Sequence, residues 1–408
     1  MGEKFGKPLL GDRLQYCTRC GMPETVEKIA FDDMGICRAC QSAEQKMHID
    51  WAERERQLEA LLQWGRDRAR GGYECVVPIS GGKDSTFQLH VLAKVHGMKC
   101  LAVTFNHNWY SETGWYNLVN CLEELDVDHV MFTPRRSLVN RLARRSLEKI
   151  GDACWHCHAG CGAFPLQVAV KFHIPLIAYG ESVSESSGRS SYYEPTMPYD
   201  REYFTRVSAK ATPEEMACSY IAEDELCPFW LPSPEEMEAA ELKGFHLGDY
   251  IFWDEERQME FVRDTYGWKE TDIEGAFKGF KSAECVMPGV HDFTCYLKRG
   301  YGRSSWQAFT DVRAGLLTRE EGFELGKSID PQRPEVLDYY LQITGYSEEE
   351  FREIMARHRV PPLQDVELPV LPKDHPCRER LLPFARQLVE KHRTTHPETE
   401  RGSSSHED

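Results

Sequence analysis

Residues 73–85 read YECVVPISGGKDS. The run from Tyr73 to Ile79 is short, apolar and rich in β-branched residues, as a buried strand is. Residues 84–97 place apolar side chains at helical spacing. Between the two stand Ser80, Gly81, Gly82, Lys83, Asp84 and Ser85. A strand that turns on two glycines straight into a helix N-terminus lets backbone N–H groups approach an anion closely. The helix end adds a partial positive charge. Lys83 brings a mobile cation, the serine hydroxyls further donors, and Asp84 a carboxylate able to hold Mg2+. The stretch therefore reads as a phosphate-binding loop with Lys83 and Asp84 as its catalytic residues. It is not a Walker A loop, because the G-x4-G-K-[ST] spacing is absent.

The strand–helix alternation continues. KCLAVTF (99–105), HVMFT (129–133) and PLIAYG (175–180) read as strands, with helices at 111–126, 135–150 and near 161–173. Such a run predicts an α/β fold with a doubly wound, Rossmann-like parallel sheet over residues 73–182. Residues 1–48 form a cysteine-bearing knob, and 49–72 an amphipathic connecting helix. Residues 183–247 begin with SVSESSGRSS and turn Pro- and Tyr-rich, which suggests a substrate-covering insertion or lid, with a disordered surface loop as the alternative. Residues 248–360 read as a mostly helical part that meets substrate or partner. Thr212, Ser233, Thr318 and Ser347 each precede a Glu by three residues, the capping-box signature of a helix start. Residues 361–408 form an extension whose polar end, from about 392, is expected to be disordered.

Lys+Arg 49 against Asp+Glu 66 gives a net charge of −17, which argues against a nucleic-acid backbone as the main partner. The basic stretch at 135–149 reads as a solvated helix face, with a partner surface as the alternative. No apolar run approaches the ~20 residues that span a bilayer, and Met1 to Leu14 is polar, so a cytoplasmic protein without membrane contact is expected.

Of the 15 cysteines, Cys17, Cys20, Cys37 and Cys40 form two CxxC pairs with the spacing of a structural zinc site. Cys154, Cys157 and Cys161, interleaved with His156 and His158, leave three readings open: a second metal or iron–sulfur site, a reactive thiol, or packing. A c-type haem reading of CWHCH fails for want of an export signal.

SGGKDS after the first strand resembles the PP-loop ATP-pyrophosphatase superfamily. The resemblance implies ATP and Mg2+ as ligands, adenine recognition around Thr104, Phe105 and Asn106, and a polar residue after a later strand, here Gly180–Glu181. The four-cysteine knob, CWHCH, LIAYGE and YLKRGYGR (296–303) together look like the N-acetyl sugar amidotransferase family of surface-polysaccharide and nonulosonic-acid synthesis. That likeness implies adenylation of an acetamido oxygen and displacement of AMP by ammonia. In YLKRGYGR, Lys298, Arg299 and Arg303 are candidates to clamp an anionic, N-acetylated sugar, and a basic turn between helices is the alternative. No glutaminase nucleophile is recognisable: GICRA (35–39) lacks the final Gly of the elbow, and position 2 is Gly. A separate glutaminase is therefore the expected ammonia source. The rival reading is a tRNA-thiolating enzyme of the same superfamily.

Overall fold

Successive residues of a strand point to opposite faces, and in the first strand both faces are apolar. The computed structural model describes residues 6–69, 72–186, 191–193 and 201–371. In it β1 (Cys75–Pro78) turns Cys75 and Val77 toward one core and Val76 toward another. The same division recurs in β2 (Cys100–Phe105) and β4 (Leu176–Tyr179). With β3 (Asp128–Phe132) and β5 (Lys243–His246) they make a five-stranded, all-parallel sheet in the order β3-β2-β1-β4-β5. One face is covered by α2 (Trp51–Arg68), α3 (Lys83–His90) and α4 (Glu112–Leu125), through Leu58, Leu62, Leu89, Leu118 and Cys121. The other is covered by α6 (Trp155–Phe172), through Leu166, Val168 and Ala169. Helices on both faces make the sheet doubly wound, as expected.

Three boundaries differ from the sequence reading. The fifth strand lies inside residues 183–247, where no strand was expected, because KGFH is too short to show a period and is recruited by pairing with β4. The last sheet helix starts at Trp155 rather than near 161, so CWHCH forms its first turn. After a short α7 (Val183–Ser186), residues 209–229 pack Ala211, Met216, Ile221 and Phe229 against α5 (Arg136–Ile150) and α6. They share one apolar cluster with those helices. The Ser/Gly-rich stretch lies partly outside the described residues, as does the polar end of the chain.

The same segment answers the basic helix. Glu225 accepts from both Arg135 and Arg141, and Glu215 faces Lys149 and Arg206. Arg135 and Lys149 stay exposed while they pair, so the basic face of α5 is in part solvated and in part matched by acidic residues of its own chain.

All four capping boxes form, at α8 (Pro213–Met216), α9 (Pro234–Ala239), α13 (Arg319–Ile329) and α15 (Glu348–Arg357). Beyond the sheet, α10 (Glu255–Tyr266) leads to α11 (Pro288–Arg299), α12 (Arg303–Ala314) and α14 (Val336–Thr344). The buried stripe of α5 meets α11, α14 and α15 in one core with Phe293, Tyr340 and Phe351, and the Tyr340 hydroxyl donates to the Ala143 carbonyl at 2.9 Å. Leu363, Val366 and Leu368 join this core, so the start of the extension belongs to the helical part. The cysteine knob and its helix α1 (Arg38–Lys46) dock through Met22 and Val26 onto Phe309 and Phe323 of α12 and α13. No helix among the described residues is long and apolar enough to cross a membrane.

Candidate functional site

The loop between β1 and α3 is held open by its surroundings. Gly81 has φ +83, and a Cβ there would stand 2.8 Å from the Leu118 nitrogen and 2.9 Å from the Gly114 carbonyl oxygen, so glycine alone fits. Trp268 Nε1 donates to the Gly81 carbonyl at 2.9 Å, and the Tyr110 hydroxyl to the Ser80 carbonyl at 3.0 Å. Ser80 Oγ accepts from the Gly82 N–H at 3.2 Å, and Ser85 Oγ donates to the Gly82 carbonyl at 3.0 Å. No side chain caps α3, so its first N–H groups are left for an anion. Lys83, 1% exposed, reaches Asp84 Oδ1 at 2.5 Å and lies over the Phe280 ring.

This loop lines a cavity of about 1370 Å³, room for a nucleotide and a second substrate together. Glu181, just after β4, lines the same cavity. Enclosure by protein pushes the Glu181 carboxyl up to about 7, and the charge of Glu255 adds to the effect. Burial raises Glu255 as well, but Lys281, its ion-pair partner, and Lys83 outweigh that and hold it at about 2.

The facing wall comes from the distal helices. Residues 282–286 cross the start of α4: Ser111 N–H donates to the Glu284 carbonyl at 3.0 Å, and Val286 N–H to the Trp109 carbonyl at 2.9 Å. The crossing needs Gly114, where a Cβ would fall 2.2 Å from Glu284 Cα. It sets the Glu284 carboxylate beside the loop, 3.4 Å from where a Gly82 Cβ would be. Arg303, at the start of α12, donates to Asp292 Oδ2 at 2.5 Å and also feels the Glu284 charge. Lys278 bridges Glu256 and Asp311.

Of the three basic residues in YLKRGYGR, only Arg303 reaches the cavity. Lys298 donates to the Ile150 carbonyl at 2.5 Å and Arg299 to the Thr25 carbonyl at 2.7 Å; both tie elements together instead of forming a clamp. Thr104, Phe105 and Asn106 do not line the cavity. The Thr104 hydroxyl donates to the Ile79 carbonyl, Phe105 is buried against Phe132 and Phe229, and the Asn106 side chain closes a turn with Asn108. The three clustered thiols part company: Cys154 lies with Asp152 and His291, while Cys157 pairs with Cys161. Sequence reading missed Glu255, Lys281, Glu284, His291 and Asp292, since none sits in a local motif. For Lys281 and Glu284 alone, the Glu and Lys crowding of 278–284 (KGFKSAE) is a local signal that could have found them.

The four knob cysteines are buried with their sulfurs within 4.8 Å of one another. Cys17–Cys40 and Cys20–Cys37 stand at 3.9 and 3.7 Å. Four thiolates at the ~2.3 Å zinc–sulfur distance have tetrahedral edges of about 3.8 Å, so the sites fit a metal such as zinc. Through α1 the knob also reaches the cavity, where Ala39, Ala43 and Lys46 form part of the lining.

Residues 274–365 match a family described as LPS biosynthesis protein WbpG-like, C-terminal domain. The match connects the chain with an enzyme family of polysaccharide biosynthesis, and it covers the wall that carries Lys281, Glu284, Asp292 and Arg303. No curated protein matches the chain.

Proposed function

We propose that the chain is an ATP-dependent amidotransferase of the PP-loop type, a synthetase subunit that converts the acetamido group of an N-acetyl sugar to an acetamidino group. The observation that carries this reading is the meeting, across one cavity, of the Ser80–Ser85 loop and the region that matches an LPS-biosynthesis family. One wall suits a polyphosphate and the other an anionic polar substrate.

An amide oxygen is a poor leaving group. Attack of that oxygen on the α-phosphorus of ATP, with pyrophosphate released, gives an adenylate from which AMP departs as a stable phosphate monoester when ammonia attacks. The loop N–H groups and Lys83 would hold the triphosphate and neutralise charge as it develops. Asp84 and Glu181, crowded among like charges and lysines, would hold the accompanying Mg2+, whose role is to neutralise the leaving pyrophosphate. Arg303, oriented by Asp292, is suited to a carboxylate or phosphate of the sugar substrate. Ammonia would come from a separate glutaminase.

The test is incubation with ATP, ammonium and a panel of N-acetyl sugars. Sugar-dependent AMP and pyrophosphate, with one oxygen of the sugar replaced by NH, is the expected result. Absence of sugar-dependent AMP across the panel would overturn the reading. Sulfur incorporated into tRNA would replace it with thiolation.

A further inference from the structure

Beside Arg303 the cavity wall holds a second cluster to which no role has yet been given. His291 lines the cavity and is 23% exposed. Its Nδ1 stands 2.9 Å from Asp152 Oδ1, leaving Nε2 as the ring nitrogen available to a bound molecule. Asp152 is 4% exposed and fixed from three sides: by His291, by the Cys154 N–H at 3.0 Å, and by Lys210 Nζ at 2.6 Å. Asp152, Cys154 and His291 could by distance hold a metal. The lysine and the amide already engage both carboxylate oxygens, however, which favours a hydrogen-bonded dyad. His158 adds a second ring 5.3 Å away on the same cavity.

We propose that His291 is the proton acceptor of the amination step and that Asp152 positions it. The proposal rests on the amidotransferase reading above. Ammonia adds to the adenylated carbon with its own electron pair: a C–N bond forms, the π pair of the C=N bond moves onto the sugar nitrogen, and the added nitrogen is left positively charged. That nitrogen must lose a proton before it can donate a pair to expel AMP. Otherwise ammonia, the better leaving group, departs and the step reverses. His291 Nε2 takes the proton, the C–O bond to AMP breaks with its electrons on the phosphate, and an amidinium remains. The proton then passes to solvent. A carboxylate behind the imidazole fixes the tautomer and stabilises the imidazolium that forms.

The charged groups facing His291 are Asp152, Lys210 and Asp292, and His158 is a titratable neighbour. Burial opposes its protonation, yet Asp152 prevails and lifts the His291 titration above the ordinary histidine range. Burial leaves His158 near 3, neutral at working pH. At constant free NH3, turnover should therefore rise with pH through the raised titration of His291.

The full chain carrying His291→Gln tests this with two rates. Sugar-dependent ATP–pyrophosphate exchange reports adenylation; AMP release with ammonia reports the whole reaction. His291→Gln should lower the second about 10²-fold more than the first, the usual contribution of a positioned base, and flatten its pH profile. Hydroxylamine, whose adduct is much more acidic, should recover most of the loss. Unchanged ammonia turnover, equal losses in both rates, or no recovery with hydroxylamine would overturn the proposal. A wild-type chain with no exchange on any sugar would instead overturn the reading beneath it. NMR then still decides the dyad: His291 should titrate above an ordinary histidine and drop in Asp152→Asn, and an ordinary titration in the wild type would refute it.

Discussion

On the proposed reading, the wall supplied by the sheet would meet its ligand mainly with backbone, through two glycines and an uncapped helix end, aided by one lysine that is 1% exposed. The wall supplied by residues 274–365 meets it with side chains held by other side chains, Arg303 by Asp292 and Lys278 by Asp311. Six adjacent letters encode the first. The second is assembled from α11, α12 and the segment before them, and exists only when the chain is folded. If the loop binds a polyphosphate as proposed, its backbone need meet little variation in that ligand. A side-chain site is where substrate choice can be varied on a constant loop.

That contrast can be broken by mutation. Lys83→Ala should reduce ATP-dependent turnover by about 10²–10³-fold, as loss of a group that stabilises developing charge does. Both rates, exchange and product formation, should fall together while circular dichroism stays as in the wild type. Arg303→Lys keeps the charge but loses the planar fork that Asp292 orients. It should raise KM for the sugar on the order of 10-fold, with KM for ATP changed far less. An equal rise in both would mean that the two walls do not divide the substrates.

The knob sharpens the comparison, because it touches both function and fold. Purified protein should contain about one zinc per chain, the content of a four-thiolate site. Cys17→Ser with Cys37→Ser should lose it. Without the metal, the contact of the knob with Phe309 and Phe323 should loosen, lowering Tm by several degrees and weakening sugar binding at the α1 lining. Zinc retained in the double variant, by elemental analysis, would place the metal elsewhere. Ser347→Ala removes one capping box far from the cavity and should cost about 1 kcal/mol in chemical denaturation, with both rates unaltered.

How much of this was legible depends on whether the information is local. SGGKDS, the double CxxC and the four capping boxes are short-range statements, and each formed where the letters place it. The strand at Lys243–His246 was illegible because four residues carry no period; its pairing with β4 creates it. Nothing local in the basic stretch 135–149 says that Glu215 and Glu225 return to pair with its exposed face. YLKRGYGR read as one clamp because its residues are adjacent. On and after the last turn of α11 adjacent side chains diverge, sending Lys298 to Ile150, Arg299 to Thr25 and only Arg303 to the cavity. The dyad of Asp152 and His291 spans 139 positions and has no local sign at all.

The central claim is that the glycine-rich loop and the wall from residues 274–365 serve one ATP-consuming reaction. Isotope exchange between labelled pyrophosphate and ATP, run with and without an N-acetyl sugar in the absence of ammonia, tests it most directly. The account predicts exchange that requires the sugar, is lost in Lys83→Ala, and needs higher sugar in Arg303→Lys. Exchange that proceeds at full rate without any sugar, or that survives Lys83→Ala, would contradict it.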